Sequence, residues 1–546
     1  PACAARCLRL NLSMEIKGRL FSKTGMTAFF TGLILVFVFA PLVVRSVPAP
    51  FWFQEYFFNT LQIAENFKRL GFPTFDGVTP TNDFSPVWTA VLAGLSSLVP
   101  SDSGVFFILV RAVLGLALGA ALILFNRLAG ALHYQPKPQE RFVTLSFLAA
   151  AFLFTGLTGS DAALAIPCLF LNALCLLKAL RQPCFKTGAC YGFSLLLCVL
   201  TRFDTIAFAL TTALVFYFQF NRKNPITTKQ LLALIPGLII ALIPLMIWAD
   251  TLQSTFGSPA PAEIASWTKT QDHSPWRLFV VLFFEPLRYI RQLPGALEAW
   301  TFPFLVLGLA AYASFPWGGR EQTPADTVFY SLIWYPILYL TILSAVTFIA
   351  VPEYAFYPLA VGGAAALLFV VCKIDSQLKE TERKQALFVW LILGCCFCCS
   401  AFFLSFRARS AFYEQVTRAI AEFTVENPGL YAMSGGAGIT SYVTKTRFVR
   451  LDGMAEDQKM LDFLNTQTTL NTVLKHYGVD YLVTVNPSTG DQSCYSAREP
   501  AQNRFGGSNK GMSDWLCASP VFEKQVTPKI KIGIFKIDKN GKAVSE

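Results

Sequence analysis

A chain of 546 residues that is 54% hydrophobic and only 14% charged, with a mean hydropathy of +0.47, falls outside the ordinary soluble class, where about a quarter of residues are charged. The net charge of +11 would point to nucleic acid in a soluble protein. Here the basic residues sit mainly in short loops between apolar blocks, where they orient helices, so they are not a nucleic-acid footprint. The apolar blocks match a hydrocarbon core about 30 Å thick, which takes about 20 helical residues, and closed helices are the spanning structure that satisfies its own backbone.

In chain order, residues 1–26 read as a cytoplasmic N-terminal segment in which Met14 is a more natural start than Pro1. The apolar segment after Lys23 is too long for a signal h-region and lacks a small-residue cleavage site, so it is expected to be a retained first helix. Helices are predicted at 27–46, 104–131, 142–157, 161–179, 189–201, 205–220, 230–249, 301–316, 327–350, 355–373 and 386–405. With the N-terminus in the cytoplasm, Lys17, Arg19, Lys23, Arg127, Lys137, Arg141, Arg181, Lys186, Arg222, Lys223, Lys229, Arg320, Lys379, Arg383 and Lys384 all fall inside. The short outer loops carry almost no Lys or Arg apart from Arg202, as the positive-inside rule requires.

This parity places two long loops, 47–103 and 250–300, and the last segment, 406–546, on the outer face of the cell membrane. In the first loop, Phe57, Leu61, Ala64, Phe67 and Lys68 recur at helical spacing, which predicts an amphipathic helix over 56–70 lying at the membrane surface. Turn-rich sequence follows, Gly71-Phe-Pro-Thr-Phe-Asp-Gly and Thr79-Pro-Thr-Asn-Asp-Phe-Ser-Pro. Beyond about Arg407 the composition turns soluble. Alternation predicts strands at 481–485 and 529–537, and apolar spacing predicts helices at 456–464 and 470–477. The expected architecture is an all-α polytopic membrane bundle of about 11 transmembrane helices, residues 27–405, with a C-terminal extracytoplasmic α/β domain, 406–546.

Cys395, Cys396, Cys398 and Cys399 lie inside an apolar span with no His or carboxylate beside them, so they read as small hydrophobes and not a metal site. Three acidic residues, Glu55, Asp161 and Asp204, fall at or near outer helix ends. Ionisable groups at membrane depth usually face a cavity or a partner, and with Arg202 these would present charge to one outward cleft. The plainer alternative is a local Arg202–Asp204 salt bridge, an Asp161 matched to a helix dipole and a solvated Glu55. Trp52 and Trp88 near helix ends fit interface anchors, and His273 fits an ordinary polar loop residue.

The run from Glu55-Tyr-Phe-Phe-Asn-Thr-Leu-Gln-Ile-Ala-Glu-Asn-Phe through Gly71 to Thr79-Pro-Thr-Asn-Asp-Phe-Ser-Pro-Val-Trp88 resembles the first outer loop of polyprenyl-phosphate-sugar-dependent glycosyltransferases of the GT-C superfamily, family 39-like and arabinofuranosyltransferase-like. Gly159-Ser-Asp-Ala-Ala-Leu164, Thr201-Arg-Phe-Asp204, Phe256-Gly-Ser-Pro with Lys269, Tyr354–Pro358 and Gly438–Gly453 with its Arg450-Leu-Asp-Gly ending follow in the family's order. The sequence departs from the pattern where the acidic pair is reduced to Glu55 followed by Tyr56 and where the family's His is Ser85.

The resemblance implies inverting transfer of a sugar from a polyprenyl-phosphate donor in the bilayer to a glycan, lipid or protein acceptor. Glu55 would be the base, aided by Asp161 and Asp204. Arg202 would hold the leaving phosphate, with Lys269 or Arg277 as second choices, and Asn82, Trp88 and Tyr354 would contribute to substrate binding. A divalent cation, Mg or Mn, bridging two carboxylates is compatible with this chemistry but not required by the spacing. Cys494 and Cys517, the only cysteines of the polar C-terminal region, are expected to pair in an oxidising compartment. The rival expectation is a catalytically silent, GT-C-like scaffold or lipid-binding protein.

Overall fold

The structure, a computed structural model, describes residues 23–43, 49–82, 84–132, 137–220, 227–256, 323–346, 357–358, 360–368, 413–452, 458–489, 494–499, 511–528 and 530–544. The helices expected at 301–316 and 386–405, the Cys395–Cys399 cluster, and Lys269, Arg277, His273 and Tyr354 lie outside them. The apolar runs form α1 (Lys23–Val43), α4 (Gly104–Ala131), α5 (Pro138–Leu157), α6 (Ala162–Arg181), α7 (Phe185–Thr201), α8 (Ile206–Phe220), α9 (Thr228–Phe256) and α10 (Pro324–Val346). Of these, α4, α6 and α9 are long and apolar enough to cross a membrane. Along α9, Leu232, Ile239, Ile243 and Met246 are exposed, an apolar face that suits lipid and not water.

Without a hydrophobic drive between helices in lipid, close packing depends on small residues. Gly188 and Gly192 on α7 meet Gly237 on α9 so closely that a Cβ on Gly192 would stand 2.0 Å from the Gly237 carbonyl oxygen. The long first loop contains two helices, α2 (Glu55–Leu70) and α3 (Pro86–Leu98). The first was expected, but it is not a helix with one wet face. Phe57, Phe58, Leu61 and Ala64 join the bundle core, while Asn59, Thr60, Ile63 and Asn66 are also buried. The second was not expected, because a short apolar run opened by Pro86 was read as part of the loop; Pro at a first helical turn is well tolerated.

The C-terminal residues build a mixed six-stranded sheet. Strands β1 (Tyr431–Met433), β2 (Phe448–Arg450), β3 (Tyr481–Val485), β7 (Phe522–Thr527), β8 (Ile530–Ile537) and β9 (Ala543–Val544) lie in the order β2-β1-β3-β8-β7, with β9 also on β8. β1 pairs in parallel with β2 and β3, and β8 runs antiparallel to β3. A separate antiparallel sheet holds β4 (Ser488–Thr489), β5 (Tyr495–Glu499) and β6 (Met512–Leu516). Helix 413–424 is followed by α12 (Ala437–Thr444), α13 (Gln458–Thr466) and α14 (Leu470–Tyr477), so the first of these four is α11.

Strand alternation gives the main sheet two apolar faces. Ala432, Val449, Leu482 and Phe535 pack on α13 and α14 through Met460, Phe463, Leu470 and Leu474. Tyr431, Phe448, Val483 and Ile534 face α11 and receive Ile63 and Phe75 from the first loop. The sheet therefore sits on that loop. Tyr442 Oη donates to the Ser101 carbonyl at 2.8 Å, and Arg447 Nε donates to the Asp76 carbonyl at 3.1 Å.

Candidate functional site

Two charged arrays flank the start of α2. In the first, α7 ends at Thr201 and a 3-10 turn, Phe203–Thr205, follows, so Arg202 and Asp204 lie side by side. Arg202 Nε and Nη2 donate to the two Asp204 oxygens at 3.1 and 2.8 Å, the fork-to-fork match of a guanidinium and a carboxylate. Arg202 Nη1 reaches Asp161 Oδ1 at 2.6 Å, with both side chains at most 6% exposed. The Tyr357 ring lies 5.1 Å from the Arg202 guanidinium carbon, and Tyr339 Oη donates to Asp204 at 2.7 Å.

Asp161 is held from four sides. Besides Arg202, Ser160 Oγ donates at 3.1 Å, Ser85 Oγ at 2.5 Å, and Tyr56 Oη at 3.3 Å. Ser85 and Tyr56 thus tie the first loop to Asp161. Trp88 is fully buried and its Nε1 donates to the Gly159 carbonyl at 3.1 Å. It braces the turn before Asp161. Asn82 is buried as well.

Arg202, the residue expected to hold the leaving phosphate, is paired with both Asp161 and Asp204. The same guanidinium fills the position between Asp161 and Asp204 that a bridging divalent cation would need. Among the described residues no group of three or more His, Cys, Asp or Glu side chains is arranged to hold a metal ion.

Glu55 belongs to the second array. It opens α2, and its neighbour Tyr56 is the residue that turns toward Asp161, while the Glu55 carboxylate meets the C-terminal sheet. Alternation along β2 sends Phe448 and Arg450 to the face toward the loop. Arg450, 2% exposed, places Nη2 3.2 Å from Glu55 Oε1 and 2.5 Å from Asp452 Oδ2, while its Nε donates to Asp452 Oδ1 at 3.0 Å. Oε1 of Glu55 is buried and, among the described residues, accepts no hydrogen bond, so the contact is an ion pair in geometry. The Glu55 side chain is 14% exposed, so it is reachable from the surface where Arg450 is not.

Burial pushes the Glu55 carboxyl above its ordinary value, Asp452 adds to that, and Arg450, the Gly436 N–H and the Tyr413 hydroxyl oppose it. Nearby, Ser434 donates to Glu499, whose carboxyl is pushed up to about 7, chiefly by burial and further by Asp452. Sequence reading missed Arg450, Asp452 and Glu499 as site residues. The alternation of Phe448-Val449-Arg450 carried the signal for Arg450, a charged residue in register with a buried aromatic. Cys494 and Cys517 are disulfide-bonded, one step beyond the Tyr495–Leu516 pair of β5 and β6.

No protein-family model matches the chain, and no curated protein matches it in sequence. Among solved structures it is similar to ArnT from Cupriavidus metallidurans in the apo state, with TM-score 0.51 and 11% identity over 85% of this chain and 93% of that chain. The same protein bound to undecaprenyl phosphate gives TM-score 0.50 and 10% identity with the same coverage. Arabinofuranosyltransferase AftD from Mycobacteria is matched at TM-score 0.42 and 14% identity, over 84% of this chain and 36% of that chain.

Proposed function

We propose that this chain, which has the GT-C fold, is a membrane glycosyltransferase that moves a sugar from a polyprenyl-phosphate donor to an acceptor hydroxyl on the outer side of the cell membrane. The observation that carries the reading is Glu55, a partly exposed carboxylate fixed at the head of α2 in a fold shared with an ArnT that binds undecaprenyl phosphate. A general base works best when its proton affinity lies near the working pH, and burial raises Glu55 in that direction.

In the step we infer, Glu55 takes the proton of the acceptor hydroxyl as that oxygen bonds to the anomeric carbon. The bond from that carbon to the lipid phosphate breaks, and the phosphate leaves with the electron pair. The Asp161–Arg202–Asp204 array fixes the floor beside α2 and contributes hydrogen-bond acceptors for sugar hydroxyls through Asp204, whose side chain is 20% exposed. Positive charge for the leaving phosphate then falls to Lys269 or Arg277. The acceptor class is a glycolipid, an envelope polysaccharide or a protein, and the mechanism above uses no divalent ion.

A second reading, a catalytically silent scaffold of the same fold, is favoured by one observation. Glu55 pairs with Arg450 and not with the Asp161 array, so the four charged residues expected in one cleft divide into two arrays. Transfer of radiolabelled sugar from a panel of polyprenyl-phosphate sugars, in membranes containing wild type or Glu55→Gln at equal expression, separates the two. Transfer that is lost in the variant supports the enzyme. Equal transfer removes Glu55 as base, and no transfer from any donor favours the scaffold.

A further inference from the structure

We propose that Arg450 and Asp452 are positioning residues for Glu55, so that the base is complete only when the C-terminal sheet is seated on the first loop. The inference rests on the glycosyltransferase reading and deepens it. Its geometry is a single nitrogen, Arg450 Nη2, facing carboxylates from two parts of the chain that are far apart in sequence, Glu55 at 3.2 Å and Asp452 at 2.5 Å. Arg450 is almost wholly buried, while Glu55 and Asp452 are each 14% exposed. The cation therefore lies beneath, and the two less buried carboxylates share its charge.

The seating of the sheet is itself specific. A Cβ on Gly438 would come within 2.0 Å of Asn59 Oδ1, one turn along α2 from Glu55, so α12 lies flush against the helix that carries the base. Tyr442 packs on Phe58 at 5.0 Å between ring centroids, and Gly435 and Gly436 bring backbone to the Glu55 carboxylate. The groups facing Glu55 are Arg450 and Asp452 at the end of β2, the Gly436 N–H before α12, and Tyr413 at the start of α11. All belong to the C-terminal part. Glu499 joins from β5 through Ser434 and faces Asp452.

Arg450 favours the ionised base and Asp452 disfavours it, so substitutions at the two positions must act in opposite directions. An opposite charge within about 4–6 Å lowers a carboxyl by about 1–3 pH units. Arg450→Met removes that charge and should move the acidic limb of the kcat/KM profile upward by about one unit or more, and Arg450→Lys should restore most of the wild-type profile. Asp452→Asn releases Arg450 to Glu55 and should move the limb downward.

The experiment measures kcat/KM for sugar transfer against pH in purified full-length wild type and the three variants. In parallel, infrared difference spectra record the protonated-carboxyl band that disappears in Glu55→Gln, titrated in each variant. Opposed shifts of the limb and of the band support the proposal. Limbs and bands that stay at wild-type pH, or shift in the same direction for Arg450→Met and Asp452→Asn, overturn it. If wild type transfers no sugar from any donor, the enzymatic reading fails on its own, and the band still decides whether Arg450 and Asp452 govern the Glu55 proton. Should Arg450→Met fail to fold, Arg450→Lys and Asp452→Asn carry the comparison.

Discussion

Gly159→Ala probes the turn that delivers Asp161, and its cost divides into two parts that can be measured separately. Gly159 has φ of +75°, a left-handed conformation that costs an L-residue about 1–2 kcal/mol. A Cβ there would also stand 2.4 Å from Phe53 Cδ1 and 2.9 Å from Phe57 Cδ2. Neither ring can give way. They are stacked with centroids 4.3 Å apart, Phe53 also meets Phe107 at 5.4 Å, and both are nearly or wholly buried. Overpacking of this kind costs about 1–3 kcal/mol, so the whole substitution should cost about 2–5 kcal/mol. Equilibrium unfolding by SDS titration in mixed micelles, run on wild type, Gly159→Ala, Phe53→Leu and the double variant, closes a double-mutant cycle. The smaller ring substitute should recover the steric part and leave the dihedral part, giving a coupling of about 1–3 kcal/mol. A coupling below about 0.5 kcal/mol, the usual limit for independent sites, would refute the steric reasoning. A single-variant cost near zero would refute both parts.

Gly192→Leu should part α7 from α9, because the added Cβ meets the Gly237 backbone at 2.0–2.5 Å and backbone cannot rotate away. Loss of a monodisperse peak in detergent is expected, whereas Gly130→Ala, with nothing within 4 Å, should elute as wild type. Glu499 predicts a pH dependence of stability. A carboxyl raised from 4.5 to about 7 on folding binds its proton more tightly in the folded state, so its stabilisation is fully present below about pH 4.5 and is lost as pH rises to about 7, a span worth about 3 kcal/mol. Midpoints of SDS unfolding collected from pH 5 to 8 should fall across that interval in wild type and lose most of the slope in Glu499→Gln; equal slopes would rule Glu499 out. Removing the Cys494–Cys517 bond, which closes a loop of sequence separation 23, should cost the C-terminal region about 3 kcal/mol on chain-entropy grounds. Limited proteolysis between β5 and β6 should then quicken in the Cys494→Ser/Cys517→Ser variant.

Local periodicity made much of the secondary structure legible. Apolar length alone placed α4 at 104–131 and α6 within a residue or two of its ends, and two-residue alternation placed β3 at its observed bounds. What could not be read was pairing across long separations. The acidic and basic residues around α7 and α2 could be recognised as costly at membrane depth, yet nothing local distinguishes an Arg202 that faces phosphate from one enclosed by Asp161 and Asp204. Glu55 was identifiable as a candidate, but its partner Arg450 stands almost 400 positions away in a different fold element, and its placement depends on how the sheet docks. The same limit applied to α2. Its spacing specified a helix with one apolar face, while burial of the polar face at Asn59 and Asn66 comes from α12 and the turn at Thr74–Phe75.

The donation of Ile63 and Phe75 to the core of the C-terminal sheet governs the order in which the chain can assemble. Strands β1, β2, β3 and β8 have one face that α13 and α14 cover from nearby sequence, so that half can form as soon as it is synthesised. The other face is covered in part by α11 and completed by Ile63 and Phe75, made some 350 residues earlier, and contacts such as Arg447 to Asp76 span 371 positions. Contacts of such separation form slowly, and apolar surface stays open meanwhile. The first loop therefore completes a core that α11 begins, and the C-terminal sheet produced without it would keep α11 on that face but lose the cover of Ile63 and Phe75.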